Sequence, residues 1–98
     1  MTEFVQLVEM STSRFEEMRK FNEEWRDNNP DALLDWSIVG RDRDDPEKFV
    51  VMVHFESYDV AMKNSADPRT AEYAAKMDEL ADGPVTFRNL DVVFTEGI

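Results

Sequence analysis

The chain has 98 residues, no cysteine, and a formal net charge of −11 from 11 basic and 22 acidic side chains. That length supports one domain, residues 1–98, with a modest core, and the missing thiols exclude disulfides and thiolate metal sites. An acidic surface repels phosphate backbones and anionic lipid, so nucleic acid and membranes are poor partners.

The opening MTEFVQLVEM lacks the basic start and apolar core of a signal peptide. No stretch approaches the roughly 18 apolar residues of a membrane span, and a cytoplasmic protein is the expectation. Residues 3–10 alternate and are rich in β-formers, which predicts a strand. A helix follows, with Ser13 and Glu16 spaced as a capping box. Phe15, Met18, Phe21 and Trp25 form its apolar stripe, and Asn28, Asn29 and Pro30 end it. Residues 33–41 predict a second strand, with Leu34, Trp36 and Ile38 on one face and Asp35, Ser37 and Val39 on the other. The charged stretch RDRDDPEK suits a solvated hairpin connection in which Asp42, Asp44 and Asp45 are paired with Arg41 and Arg43 or solvated.

Residues 47–56 predict the third strand, in which FVVMVHF places the only histidine within an apolar run. Ser57 can cap a short helix reaching Asn64. Asp67 and Pro68 then open a longer helix, as N-cap and first helical residue. Its stripe is Thr70, Tyr73, Ala74, Met77 and Leu80, and Gly83 and Pro84 are its stop signals. Residues 85–95 predict the last strand. The order βαββαβ implies an α+β, ferredoxin-like sandwich: a four-stranded antiparallel sheet with the helices on one face.

An antiparallel strand with one wet face should alternate in polarity, and the third strand does not. Phe49, Val51, Val53 and Phe55 point one way, and Val50, Met52 and His54 the other. Leaving Val50 and Met52 in water forgoes about 1.5–3 kcal/mol each. A contiguous apolar patch of this kind marks an interface, so a homodimer joined through the sheet is expected.

The element order, with FVQLVEM at the start and VHFESYDVAMKNSADPRTAEYAAKMDEL across the third strand and broken helix, resembles the antibiotic-biosynthesis-monooxygenase-like family of dimeric α/β barrels. The resemblance covers nearly the whole chain and implies a barrel built by two subunits. It also implies one of several activities. The family's cofactor-free, quinone-forming members use a Trp at the end of the third strand and an Asn four residues earlier, with a Tyr in the short helix and an Arg in the long one. The matching positions here hold Phe55, Val51, Ala61 and Ala74, so the polar groups of that site are absent. Its haem-degrading members use an Asn on the first strand and a Trp and a His in the second helical region. Here the first strand carries Gln6 and Val8, the tryptophans are Trp25 and Trp36, and the histidine lies on a strand.

The polar residues left to do chemistry are few. His54 is the candidate general base, because an imidazole exchanges protons near neutrality, although alternation puts it on the sheet face opposite Phe55. Gln6, Trp36, Phe55, Asn64, Tyr73 and Met77 are the candidate lining of a pocket between sheet and helices, with Gln6 to orient a carbonyl or hydroxyl. Trp36 would sit there among Phe15, Met18, Phe21 and Met77. No phosphate loop, serine triad or metal-ligand cluster is present in the sequence, and no metal or cofactor is expected. Three functions fit: a dimer binding a hydrophobic aromatic molecule as a cofactor-independent monooxygenase, a non-catalytic ligand-binding dimer, and an isomerase or cyclase using His54 or Tyr73.

Overall fold

A computed structural model of the chain describes residues 2–97. Its elements are β1 (Phe4–Ser11), α1 (Phe15–Asn28), β2 (Trp36–Arg41), β3 (Lys48–Phe55), α2 (Tyr58–Ala66), α3 (Pro68–Leu80) and β4 (Thr86–Asp91). The strands form one antiparallel sheet in the order β2-β3-β1-β4, so the expected α+β, ferredoxin-like sandwich is the observed one. No helix among the described residues is long and apolar enough to cross a membrane.

Cross-strand register sorts the side chains onto the two faces. Gln6 lies opposite Val53 and Asn89, and Val8 opposite Val51 and Phe87. These residues share the helix side with Phe4, Met10, Phe49 and Phe55. On the bare side, Val5 lies opposite His54 and Leu90, and Leu7 opposite Met52. Trp36 faces His54 and Ile38 faces Met52 on that same side.

The core is split in two. Met10, Met18, Phe49 and Leu80 pack at one end, with the Phe15 and Phe49 rings stacked 4.2 Å apart and the Arg41 guanidinium 5.2 Å from the Phe49 ring. Phe4, Phe55 and Ala61 pack at the other end, beneath α2. The middle of the sheet is left unfilled.

The helix starts follow local chemistry in two cases and tertiary chemistry in the third. The Ser57 hydroxyl accepts from the Val60 N–H at 3.3 Å, and the Asp67 carboxylate accepts from the Arg69 N–H at 2.9 Å, as the sequence predicts. The Ser13–Glu16 capping box does not form. Instead the Ser13 N–H donates to the Asp82 carboxylate at 2.6 Å and the Arg14 N–H to the Thr12 hydroxyl at 2.9 Å. Thr12, 2 % exposed, donates in turn to the Leu80 carbonyl at 2.7 Å, so one hydroxyl serves the start of α1 and the end of α3. That tertiary arrangement displaces the local cap.

The boundaries also differ at three places. β2 starts at Trp36, not residue 33, because the chain before it turns so that Asp35 reaches His54. β4 ends at Asp91, not residue 95. Val92 still donates to the Glu3 carbonyl at 2.9 Å, but Val93 and Phe94 are exposed beyond it. α3 is capped by Ala81 rather than at Gly83, which takes its positive φ of 115° two residues later. In the β2–β3 hairpin, the Asp42 carboxylate accepts from the Asp44 and Asp45 N–H groups, while Arg41 covers the Phe15 and Phe49 rings instead of pairing with an aspartate.

Candidate functional site

The unfilled middle of the sheet is a cavity of about 510 Å³ between the strands and helices α1 and α3. Its floor is apolar: Val8, Val51, Val53 and Phe55 from the central strands, with Val39 and Phe87 from the edges. Where the short Val8, Val39, Val51 and Val53 lie beneath Thr70, Ala74 and Ala75 of α3, neither wall reaches the other, while larger side chains such as Phe55, Tyr73 and Met77 bound the space. A volume of this size falls in the ordinary range for small-molecule sites.

Polar groups interrupt the carbon surface on both walls. On the floor stands Gln6, whose Nε2 donates at 3.1 Å to Oδ1 of Asn89, an exposed residue just outside the lining. In the roof, the Tyr73 hydroxyl donates to Asn22 Oδ1 at 2.6 Å. Burial pushes the Tyr73 phenol up to about 12, with the nearby Arg26 charge pulling weakly the other way. The phenol is therefore a hydrogen-bond donor at neutral pH and not a base. Its ring is wedged between Phe21 and Trp25, with centroids 5.7 and 4.9 Å away. Asn64, Thr70, Ser37, Arg19, Arg26 and Asp78 complete the polar part of the lining.

Five of the six residues expected in the pocket line it: Gln6, Phe55, Asn64, Tyr73 and Met77. Trp36 does not. It stacks on His54 on the opposite face of the sheet, with ring centroids 4.7 Å apart and planes within 7°. The β2 residues that face the cavity are Ser37 and Val39. Phe15 and Met18 line the cavity as expected, whereas Phe21 packs behind Tyr73.

His54 also lies across the sheet from the cavity and is only 8 % exposed. Its Nδ1 is 3.0 Å from Asp35 Oδ2 and its Nε2 is 3.2 Å from Glu3 Oε1. A neutral ring can donate to only one of these carboxylates. Both nitrogens are engaged and the sheet intervenes, so His54 cannot act on a molecule in the cavity. Among the described residues, no group of three or more His, Asp or Glu side chains is placed to hold a metal ion.

Sequence reasoning missed Asn22, Asn89, Arg19 and Arg26. Asn22 had a signal: it sits four residues after Met18 and three before Trp25, a polar residue inside an apolar stripe. Asn89 had none, since its place beside Gln6 depends on the pairing of the first strand with the last.

No family model matches the chain, and no curated protein matches it. Solved structures do. SnoaB, a cofactor-independent oxygenase from Streptomyces nogalater, superposes with a TM-score of 0.77 over 100% of both chains at 14% identity. A candidate antibiotic biosynthesis monooxygenase from Caulobacter crescentus gives 0.79 at 12% identity, covering 95% of this chain and 92% of that one. A conserved protein from Methanosarcina mazei gives 0.77 at 9% identity, covering 92% of each. The fold is that of the antibiotic-biosynthesis-monooxygenase structures that the sequence resembles; identities this low speak to fold alone.

Proposed function

We propose that the protein is a homodimer that binds a flat aromatic molecule bearing oxygen substituents in the cavity between sheet and helices, and oxygenates it without a cofactor. The observation that carries this reading is the cavity itself: a largely apolar slot with the Gln6 amide on its floor and the Tyr73–Asn22 pair in its roof. Apolar walls select rings, and the Gln6–Asn89 and Tyr73–Asn22 pairs can orient carbonyl or hydroxyl groups at two places.

The lining favours substrates that supply their own acidity. His54 is out of reach and Tyr73 holds its proton, so the methylene of an anthrone-type phenol, acidified by its own rings and carbonyl, is the fitting chemistry. Once that carbon has lost a proton to solvent, before the molecule is enclosed, it gives electrons to O₂ and a C–O bond forms. The O–O bond then breaks, one oxygen remaining as the new carbonyl and the other leaving as water with the two methylene hydrogens. The chain's part is to hold the enolate with donors and to keep water out.

The dimer is supported by the bare sheet face. Ile38 is 59 % exposed and Met52 36 %, and Val50, Leu7 and Leu90 extend the same patch. Glu9, Lys48 and Arg88 put both signs of charge on this face, which lets two copies pair about a two-fold axis. A non-catalytic ligand-binding dimer is the second reading. It is favoured by Val51, Phe55, Ala61 and Ala74 standing where the quinone-forming relatives carry polar groups and an indole.

Incubating the protein with anthrone-type phenols under air, while following O₂ uptake and quinone absorbance, separates the two. Quinone formation at a rate proportional to protein and lost on Ala74→Phe, which fills the roof, supports oxygenation. Saturable binding without O₂ uptake leaves the non-catalytic reading. No binding removes both.

A further inference from the structure

We infer that the molecule taken by this cavity is an acid, its carboxylate held at the α1 rim by Arg26 and the amide nitrogen of Asn22. The inference rests on the cavity being a binding site for an aromatic molecule and names the class of that molecule.

Arg19, Asn22 and Arg26 follow one another at spacings of three and four, so they form a single ridge along α1. All three line the cavity. The ridge is made of donors. Asn22 Oδ1 is occupied by the Tyr73 hydroxyl, which leaves its two amide N–H groups free to face an acceptor. A guanidinium adds five more N–H donors and no acceptor. Such a wall matches a carboxylate, which only accepts.

The charges are also distributed unusually for this chain. Acidic side chains outnumber basic ones two to one, and Arg14, Arg19 and Arg69 are each paired with carboxylates. Arg26 is half-buried and has no carboxylate within ion-pair distance among the described residues. Its charge reaches the cavity, since it acts on the Tyr73 phenol. Of the other charged groups in the lining, Asp78 is exposed on α3, and Arg19 is engaged by Glu23 at 3.2 Å. Arg26 is therefore the cation left for a ligand. A partly desolvated guanidinium bonds a carboxylate roughly twice as strongly as neutral groups bond each other.

Calorimetric titration with anthracene-2-carboxylate and with its carboxamide tests this, because the probes share shape and differ in charge. The acid is expected to bind about tenfold more tightly. Added salt should weaken the acid and leave the amide unchanged. Arg26→Met, which keeps the stem, should close the gap, whereas Arg19→Met should preserve it. Arg26→Gln serves should the Met variant not fold, and the salt titration needs no variant.

Equal affinities in the wild-type protein, or a gap that survives loss of the Arg26 charge, overturn the inference and leave the aromatic cavity standing. If neither probe binds, both the inference and the aromatic cavity reading are overturned.

Discussion

Replacing Tyr73 by Phe removes one oxygen atom from the cavity roof and sets two effects against each other. At neutral pH the variant loses the hydrogen bond to Asn22. Asn22 is half-buried, so water can replace the lost partner, and the cost is about 1 kcal/mol. In alkali the sign reverses. The phenol is raised from 10.0 to about 12 by burial, so the folded chain keeps a proton that the unfolded chain releases from about pH 10. Because the folded form binds more protons, stability falls as pH rises through that interval, by about 3 kcal/mol at its end. Below about pH 10 the contribution is intact.

Phe has no proton to lose, so the variant starts less stable and overtakes the wild type near about pH 11. Urea unfolding followed by far-ultraviolet circular dichroism at stepped pH measures both chains, and every group they share cancels in the difference. A stability difference that stays constant from neutral pH to about 12 would show that the phenol is not held protonated by burial, and would refute the reasoning.

Thr12→Val should cost about 1–3 kcal/mol, since it strands the Leu80 carbonyl and the Arg14 N–H at a site 2 % exposed; thermal melting checks this, and an unchanged midpoint counts against the bridge. Arg69→Met should lower the melting temperature by releasing Asp31, Asp67 and Asn29. The hydrogen bonds from Arg69 hold the Asp31 and Asp67 carboxyls below their usual range. Their stabilisation is present above the ordinary carboxylate range and is lost as pH falls through the lowered values. The wild type's advantage over Arg69→Met should therefore shrink in acid, which melts at descending pH will show. Met52→Glu places a charge in the middle of the bare sheet face, so sedimentation should report single subunits for the variant and pairs for the wild type. A wild type that sediments as single subunits would remove the dimer proposal, and pairs for both chains would remove this face as the interface.

What the sequence made legible depended on whether the signal was local. The apolar run at Phe49–Phe55 marked a strand with apolar side chains on both faces, and alternation alone placed His54 opposite Phe55. The capping roles of Ser57 and Asp67 lie within three residues of the groups they serve, and both hold. Trp36 failed for a definite reason. Alternation sorts Trp36 and Ile38 from Ser37 and Val39, but it does not say which set meets the helices. Hydrophobicity argued for the tryptophan. Register with β3 puts Ser37 opposite Val53 and turns the tryptophan outward. A pocket with Tyr73 and Met77 in its lining was expected, but its extent was not legible, because the same stripe fits a filled core equally well. Only the stand-off of α3 from the sheet shows that the two packed ends do not meet.

The strand order has a consequence for biosynthesis. β1 occupies an interior lane of the sheet, yet its two neighbours are β3 and β4, both encoded far downstream. A ribosome delivers β3 and must then extrude all of α2 and α3 before β4 exists, on the order of 2–6 s at roughly 5–20 residues per second. Through that delay one flank of β1 has open amides and carbonyls, and Val5 and Leu7 lack the cover of their β4 partners Leu90 and Arg88. A nascent chain of this topology is at its most adhesive just before β4 emerges, and slower translation across α3 lengthens that window.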